Sequence, residues 1–124
     1  MKINGVELDF ALYDAANVEM RQRYFDELKK MQTVSQELSK GASEKEQTSF
    51  LCKKIKTMFD NIFGEGTGEK VCMERDDLLI CMDAYEQLVS EQIRQNHRYK
   101  TIMNQIKEKA GQVLGNESTA GKIS

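Results

Sequence analysis

Few residues of this 124-residue chain have the type and spacing to do chemistry. They are three cysteines, one histidine, two carboxylate pairs and one glycine-rich loop. Nucleophilic catalysis needs a base beside the nucleophile. His97 is the single histidine, and it stands in the polar run Arg94-Gln95-Asn96-His97-Arg98-Tyr99-Lys100. That setting argues against a Cys-His or Ser-His dyad. Cys52, Cys72 and Cys81 are odd in number and include no CxxC spacing. Zinc would need a fourth soft ligand, so burial as small hydrophobes is their expected role. Asp76-Asp77 and Glu65/Glu69 fall in solvated surroundings, where nothing implies the shifted pKa of a working acid or base. The two aspartates suit a helix start, where carboxylates meet the positive end of the dipole.

The loop Gly64-Glu65-Gly66-Thr67-Gly68 precedes helical sequence, which raises phosphate binding. No buried strand leads into it, no Gly-Lys-Ser/Thr closes it, and Glu65 and Glu69 would repel a phosphate. A calcium loop counted from Asp60 fails because Ile62 stands where an oxygen ligand is required. A C-cap glycine followed by a tight turn is the expectation, with Thr67 capping a short turn through Val71 and Met73. No catalytic, cofactor or metal site is therefore expected.

Three helices must surround this loop. Asp14 offers an N-cap to a helix over about 15–39. Its apolar positions are Val18, Phe25, Leu28, Met31, Val34 and Leu38, with Tyr24 beside them. Glu19, Arg21, Arg23, Asp26, Lys29 and Lys30 form its solvated face, and Gly41 ends it. Ser43-Glu44-Lys45-Glu46 matches a capping box and opens a second helix over about 44–63. Leu51, Ile55, Met58 and Ile62 make its stripe, flanked by Phe50, Phe59 and Phe63. A buried phenylalanine contributes roughly 1.5–3 kcal/mol, so this helix is expected to anchor the core.

The third helix is expected over about 76–109, which at 1.5 Å per residue is ~50 Å, against ~30 Å for a small domain. Leu78, Met82, Tyr85, Leu88 or Val89, and Ile93 form its stripe. Leu79, Ile80 and Cys81 widen it to two buried sides. Ile102, Met103 and Ile106 continue more narrowly. The far end should either project with those residues exposed or break near Gln95–His97 and fold back. Ahead of the helices, Asn4-Gly5 predicts a type I′ turn in a hairpin over about 2–10, with Val6, Leu8 and Phe10 alternating with Glu7 and Asp9. A lone ribbon is marginal in water, so it should pack on the helices or add to a sheet edge elsewhere.

The expected architecture is thus mainly α: an N-terminal hairpin, three main helices with the third long, and a disordered tail. It forms one domain over 1–110, with 111–124 flexible. An apolar fraction of 40% and a charged fraction of 31% fit a folded chain, and proline is absent. No apolar run approaches the roughly 20 residues that span a bilayer. Met1-Lys2-Ile3-Asn4-Gly5 has no signal-peptide core, which points to the cytoplasm.

Charge is unevenly spread. Residues 1–59 are net +1, residues 60–91 carry 2 basic and 9 acidic side chains, net −7, and residues 92–124 are net +4. This polarity could align subunits or steer a partner, or simply reflect solvated faces. Arg94, Arg98, Tyr99, Lys100, Lys107 and Lys109 give nucleic-acid binding some support. The negative net charge and the lack of a helix-turn-helix glycine pattern weigh against it.

The opening Met1-Lys2-Ile3-Asn4-Gly5-Val6-Glu7-Leu8 and the segment Phe59-Asp60-Asn61-Ile62-Phe63-Gly64-Glu65-Gly66-Thr67 resemble small proteins of Gram-positive phages and prophages. The resemblance spans roughly residues 1–110 and is to the tail-assembly chaperone class. It implies a non-enzymatic helical protein in the bacterial host cytoplasm that coats the long helical tape-measure protein. It also implies a homo-oligomer without cofactor, whose partners are phage tail proteins. The expected partner surface is an apolar groove using Phe59, Phe63, Tyr85, Tyr99, Ile102, Met103 and Ile106. A head–tail connector or tail-completion protein, and a small DNA-binding regulator, are the competing expectations.

Overall fold

Asn4 and Gly5 adopt positive φ, 48° and 83°, as a type I′ turn requires. The turn joins β1 (Lys2–Ile3) to β2 (Val6–Glu7), paired antiparallel with Ile3 opposite Val6. In the computed structural model, which describes residues 1–123 and side chains through Gly115, the strands are two residues long. Met1 and Leu8 continue the pairing, the Met1 amino group donating to Leu8 O at 2.9 Å and the Leu8 amide to Met1 O at 2.8 Å. Ile3, Leu8, Phe10 and Leu12 are buried, so the ribbon packs on the helices.

Asp14 caps a single 3-10 turn at Ala15–Asn17, its Oδ1 accepting the Ala16 amide at 2.9 Å. α1 follows at Val18–Met31, and a second 3-10 turn spans Val34–Glu37. The expected 15–39 helix is thus three pieces. Its inward face also differs: Met20, Tyr24 and Glu27 are buried, whereas Val18 and Phe25 are exposed. Tyr24 turns the helix this way by setting its ring edge-on to Phe10 at 5.0 Å. Glu27 tolerates burial because its carboxylate accepts from Asn61 Nδ2 at 3.0 Å and Lys30 Nζ at 2.6 Å.

α2 (Glu44–Phe63) keeps its expected bounds, with Ser43 Oγ accepting the Glu46 amide. Cys52, Ile55, Met58, Phe59 and Ile62 are buried along it, and Phe59 stacks near Phe63 at 6.1 Å. Gly64 ends the helix at φ 119°, its amide donating to the Asp60 carbonyl at 2.8 Å. α3 (Thr67–Val71) then starts from Gly66 in the left-handed region. Thr67 is inside this helix rather than its cap, and its hydroxyl donates back to Gly64 O at 2.8 Å.

α3 closes with the Glu74 amide on Glu69 O at 2.7 Å and the Met73 amide on Lys70 O at 3.1 Å. This is a Schellman pattern with Met73, at φ 58°, in the place usually held by glycine. Gly68 meets α2 so closely that a Cβ there would lie 2.2 Å from the Lys56 carbonyl oxygen.

Asp77 caps α4 (Leu78–Ile123), Oδ1 accepting the Leu79 and Ile80 amides. Among its described residues Cys81, Ala84 and Leu88 are fully buried; Leu78, Met82 and Tyr85 are half-buried against the same core. Leu79 is 82% exposed and Ile93 is also exposed, so burial does not extend to two sides. The helix is continuous through Gln95–His97 and passes Lys109 and Gly111. From Asn116, the expected flexible tail lies outside the residues with described side chains. The chain divides into two compact units, Met1–Glu91 and the residues from Gln92.

Candidate functional site

Along residues 92–115, apolar side chains recur at helical spacing and stay in solvent. Tyr99, Ile102, Met103 and Ile106 are 38–57% exposed, and Val113 and Leu114 are more so. Steps of three and four residues put neighbouring members of this series on one side of a helix. Arg94, Arg98, Lys100, Lys107 and Lys109 accompany them against a single acidic residue, Glu108. The result is a basic, amphipathic stretch with the character of a docking helix. Val113 and Leu114 were missed because 111–124 reads as a flexible tail. The three-residue step from Ala110 to Val113 was the signal available.

The remaining residues expected at a partner surface have other work. Phe59 has no accessible surface. Phe63 is half-buried, its ring 5.7 Å from Phe10. Tyr85 packs half-buried against the same core, and burial pushes its phenol up. Phe59 therefore stabilises the domain; its removal would open the core before it touched any partner.

The ionisable groups in the first unit hold the fold together. Lys56, buried in α2, donates to Asp76 at 2.6 Å and pairs with Glu69 at 3.0 Å. Burial alone would pull its ammonium down. The hydrogen bonds it donates to Asp76 and Glu69 more than reverse this and leave it above the ordinary lysine range. One cation thereby joins α2, α3 and the segment before α4. Asp76 is thus a salt-bridge partner, and Asp77 is the helix cap.

Cys52, Cys72 and Cys81 are free thiols with no exposure. Burial pushes Cys52 and Cys81 up to about 12 and raises Cys72 too, which keeps all three protonated and unreactive at neutral pH. Among the described residues, no group of three His, Cys, Asp or Glu side chains could hold a metal ion. His97 is exposed on α4, its carbonyl accepting from the Thr101 hydroxyl at 3.1 Å. Amides of the glycine loop are directed inward: Gly64 N to Asp60 O, Thr67 N to Gly64 O, and Gly68 N to Asp60 Oδ1 at 2.7 Å. Those donors serve the turn and not an anion. No helix among the described residues is long and apolar enough to cross a membrane.

The class defined here is a small, mainly α protein with a core-building first unit and a helical stretch whose apolar residues are exposed. The chain belongs to a family of unknown function, DUF6673, whose model matches residues 4–117. No curated protein and no solved structure matches it.

Proposed function

We propose that this chain is a polypeptide-binding protein of phage tail assembly, of the tail-assembly chaperone class, that engages the helical tape-measure protein and performs no catalysis. The resemblance of residues 1–8 and 59–67 to phage tail-region proteins supplies the class. One structural observation carries the binding mode: Tyr99, Ile102, Met103 and Ile106 lie in solvent at three- and four-residue steps on α4. Apolar anchors at that spacing are how an amphipathic helix meets another helix or a groove. Their exposure costs solubility that a chain without a partner would not need to spend. Arg98, Lys100, Lys107 and Lys109 would steer the encounter toward an acidic stretch of the partner.

Co-expression of the full chain with a tape-measure fragment, followed by affinity capture, tests the proposal. Retention should be strong for the native sequence and lost for Ile102→Ser/Ile106→Ser, whose helical circular dichroism should not change. Failure of the native chain to retain the fragment at micromolar concentration would overturn it. Finding the protein in purified particles would point to a structural tail or connector component. Steeply salt-dependent duplex binding would point to a DNA regulator.

A further inference from the structure

A surface of opposite character to the basic stretch lies in the first unit. Leu79, Asp83, Glu86 and Ser90 occupy steps of four, three and four residues on α4, and all are exposed. Among the described residues Leu79 is the most exposed large apolar side chain, and Met73, also exposed, precedes it beside Glu74. An open groove of about 620 Å³ adjoins Leu79, lined by Thr48, Arg75, Asp76, Asp77, Leu78 and Leu79 itself. Along this face and its groove Asp76, Asp77, Asp83 and Glu86 stand against Arg75, whereas 92–115 carries 5 basic side chains and 1 acidic.

The charges select the occupant. Pairing two copies of 92–115 would set five cations against five. Pairing 92–115 with the Leu79 face of another molecule sets a basic apolar helix against an acidic surface that has its own exposed apolar residues. We infer that residues 92–115 of one copy dock on the acidic Leu79 face of a second copy, head to tail. Ile102, Met103 and Ile106 meet Leu79 and Met73, and Lys100, Lys107 and Lys109 meet Asp83 and Glu86. Because the two surfaces differ, each docking event leaves one of each unfilled at the ends. Such a contact grows into a closed ring or an open chain of copies. The inference concerns the chain with itself and does not depend on the tape-measure proposal.

Sedimentation of the full chain over a concentration series, at about 50 mM and about 1 M salt, provides the test. The native chain should gain average mass with concentration at low salt and return to the monomer at high salt. Lys100→Glu/Lys107→Glu/Lys109→Glu should be monomeric alone, as should Asp83→Lys/Glu86→Lys. An equimolar mixture of the two should associate again, since each then carries the other's complement; that recovery also shows both variants are folded. A native chain that stays monomeric overturns the inference. So does an Asp83→Lys/Glu86→Lys variant that assembles like the native chain, or a mixture that stays monomeric.

Discussion

α4 contains two stretches with similar apolar spacing and different fates. In 78–91, Cys81, Ala84 and Leu88 have no exposure, and the charged residues, Asp83, Glu86 and Glu91, are all acidic. In 92–115 no residue is buried, and five of the six charged side chains are basic. The spacing of apolar residues states that a helix face wants cover. Whether the same chain supplies it depends on what else is folded nearby. For 78–91 the cover is α2, α3 and the ribbon, whose buried residues share one cluster with Cys81 and Leu88. Opposite charge on the two stretches then favours cover from another molecule for the second.

Leu88→Ala should give the largest effect, a loss of about 2–5 kcal/mol in denaturant unfolding, because it opens a cavity in a filled core. A loss under 1 kcal/mol would mean that 78–91 is no better covered than 92–115. Alkaline pH comes next. Cys52 and Cys81 ionise at about 12 in the folded state against 9.0 ordinarily, so both states hold neutral thiols below pH 9 and stability is full there. Between pH 9 and 12 the unfolded chain gives up those protons first. Stability should then fall by about 1.4 kcal/mol per pH unit for each thiol. The raised Lys56 acts in the same sense at still higher pH. A denaturation midpoint flat from pH 8 to 11 would show the thiols to be solvated.

Gly68→Ala should cost about 1–3 kcal/mol, because its methyl group would press on the Lys56 carbonyl of α2 and separate the two helices. The smallest effect should be Ile106→Ala, within about 0.5 kcal/mol for the isolated chain. Measured in dilute protein, that value sharpens the contrast with Leu88. A cost comparable to that of Leu88 would erase it, showing that 92–115 is already covered.

The sequence made the class and the second helix readable because their signals are local. Ser43 and Gly64 mark the ends of α2, and Ile55, Met58 and Ile62 mark its inner face. Asn4-Gly5 gave the turn for the same reason. α1 was harder, since Val18 and Phe25 look as apolar as Met20 and Tyr24, and only packing against Phe10 decides which pair turns inward. Met73 could not be recognised as a helix terminator, because the usual sign of a left-handed residue is glycine. The Lys56–Glu69–Asp76 cluster joins positions 13 and 20 residues apart, beyond any helical periodicity. At the candidate site, Tyr99, Ile102, Met103 and Ile106 were legible from spacing. Phe59, Phe63 and Tyr85 were assigned to the same surface because an aromatic's type does not say which side of a wall it lines.

Asn4 forms its turn and also ties it down. Its side chain donates to the Val71 carbonyl at 2.7 Å and accepts from Gln87 Nε2 at 3.4 Å, across 67 and 83 residues of chain. The two-residue ribbon has little hold of its own. The ribbon therefore waits for nearly all of the first unit before it is secured. A nascent chain stalled before residue 87 would carry a loose ribbon, open to proteolysis, on an otherwise half-built protein.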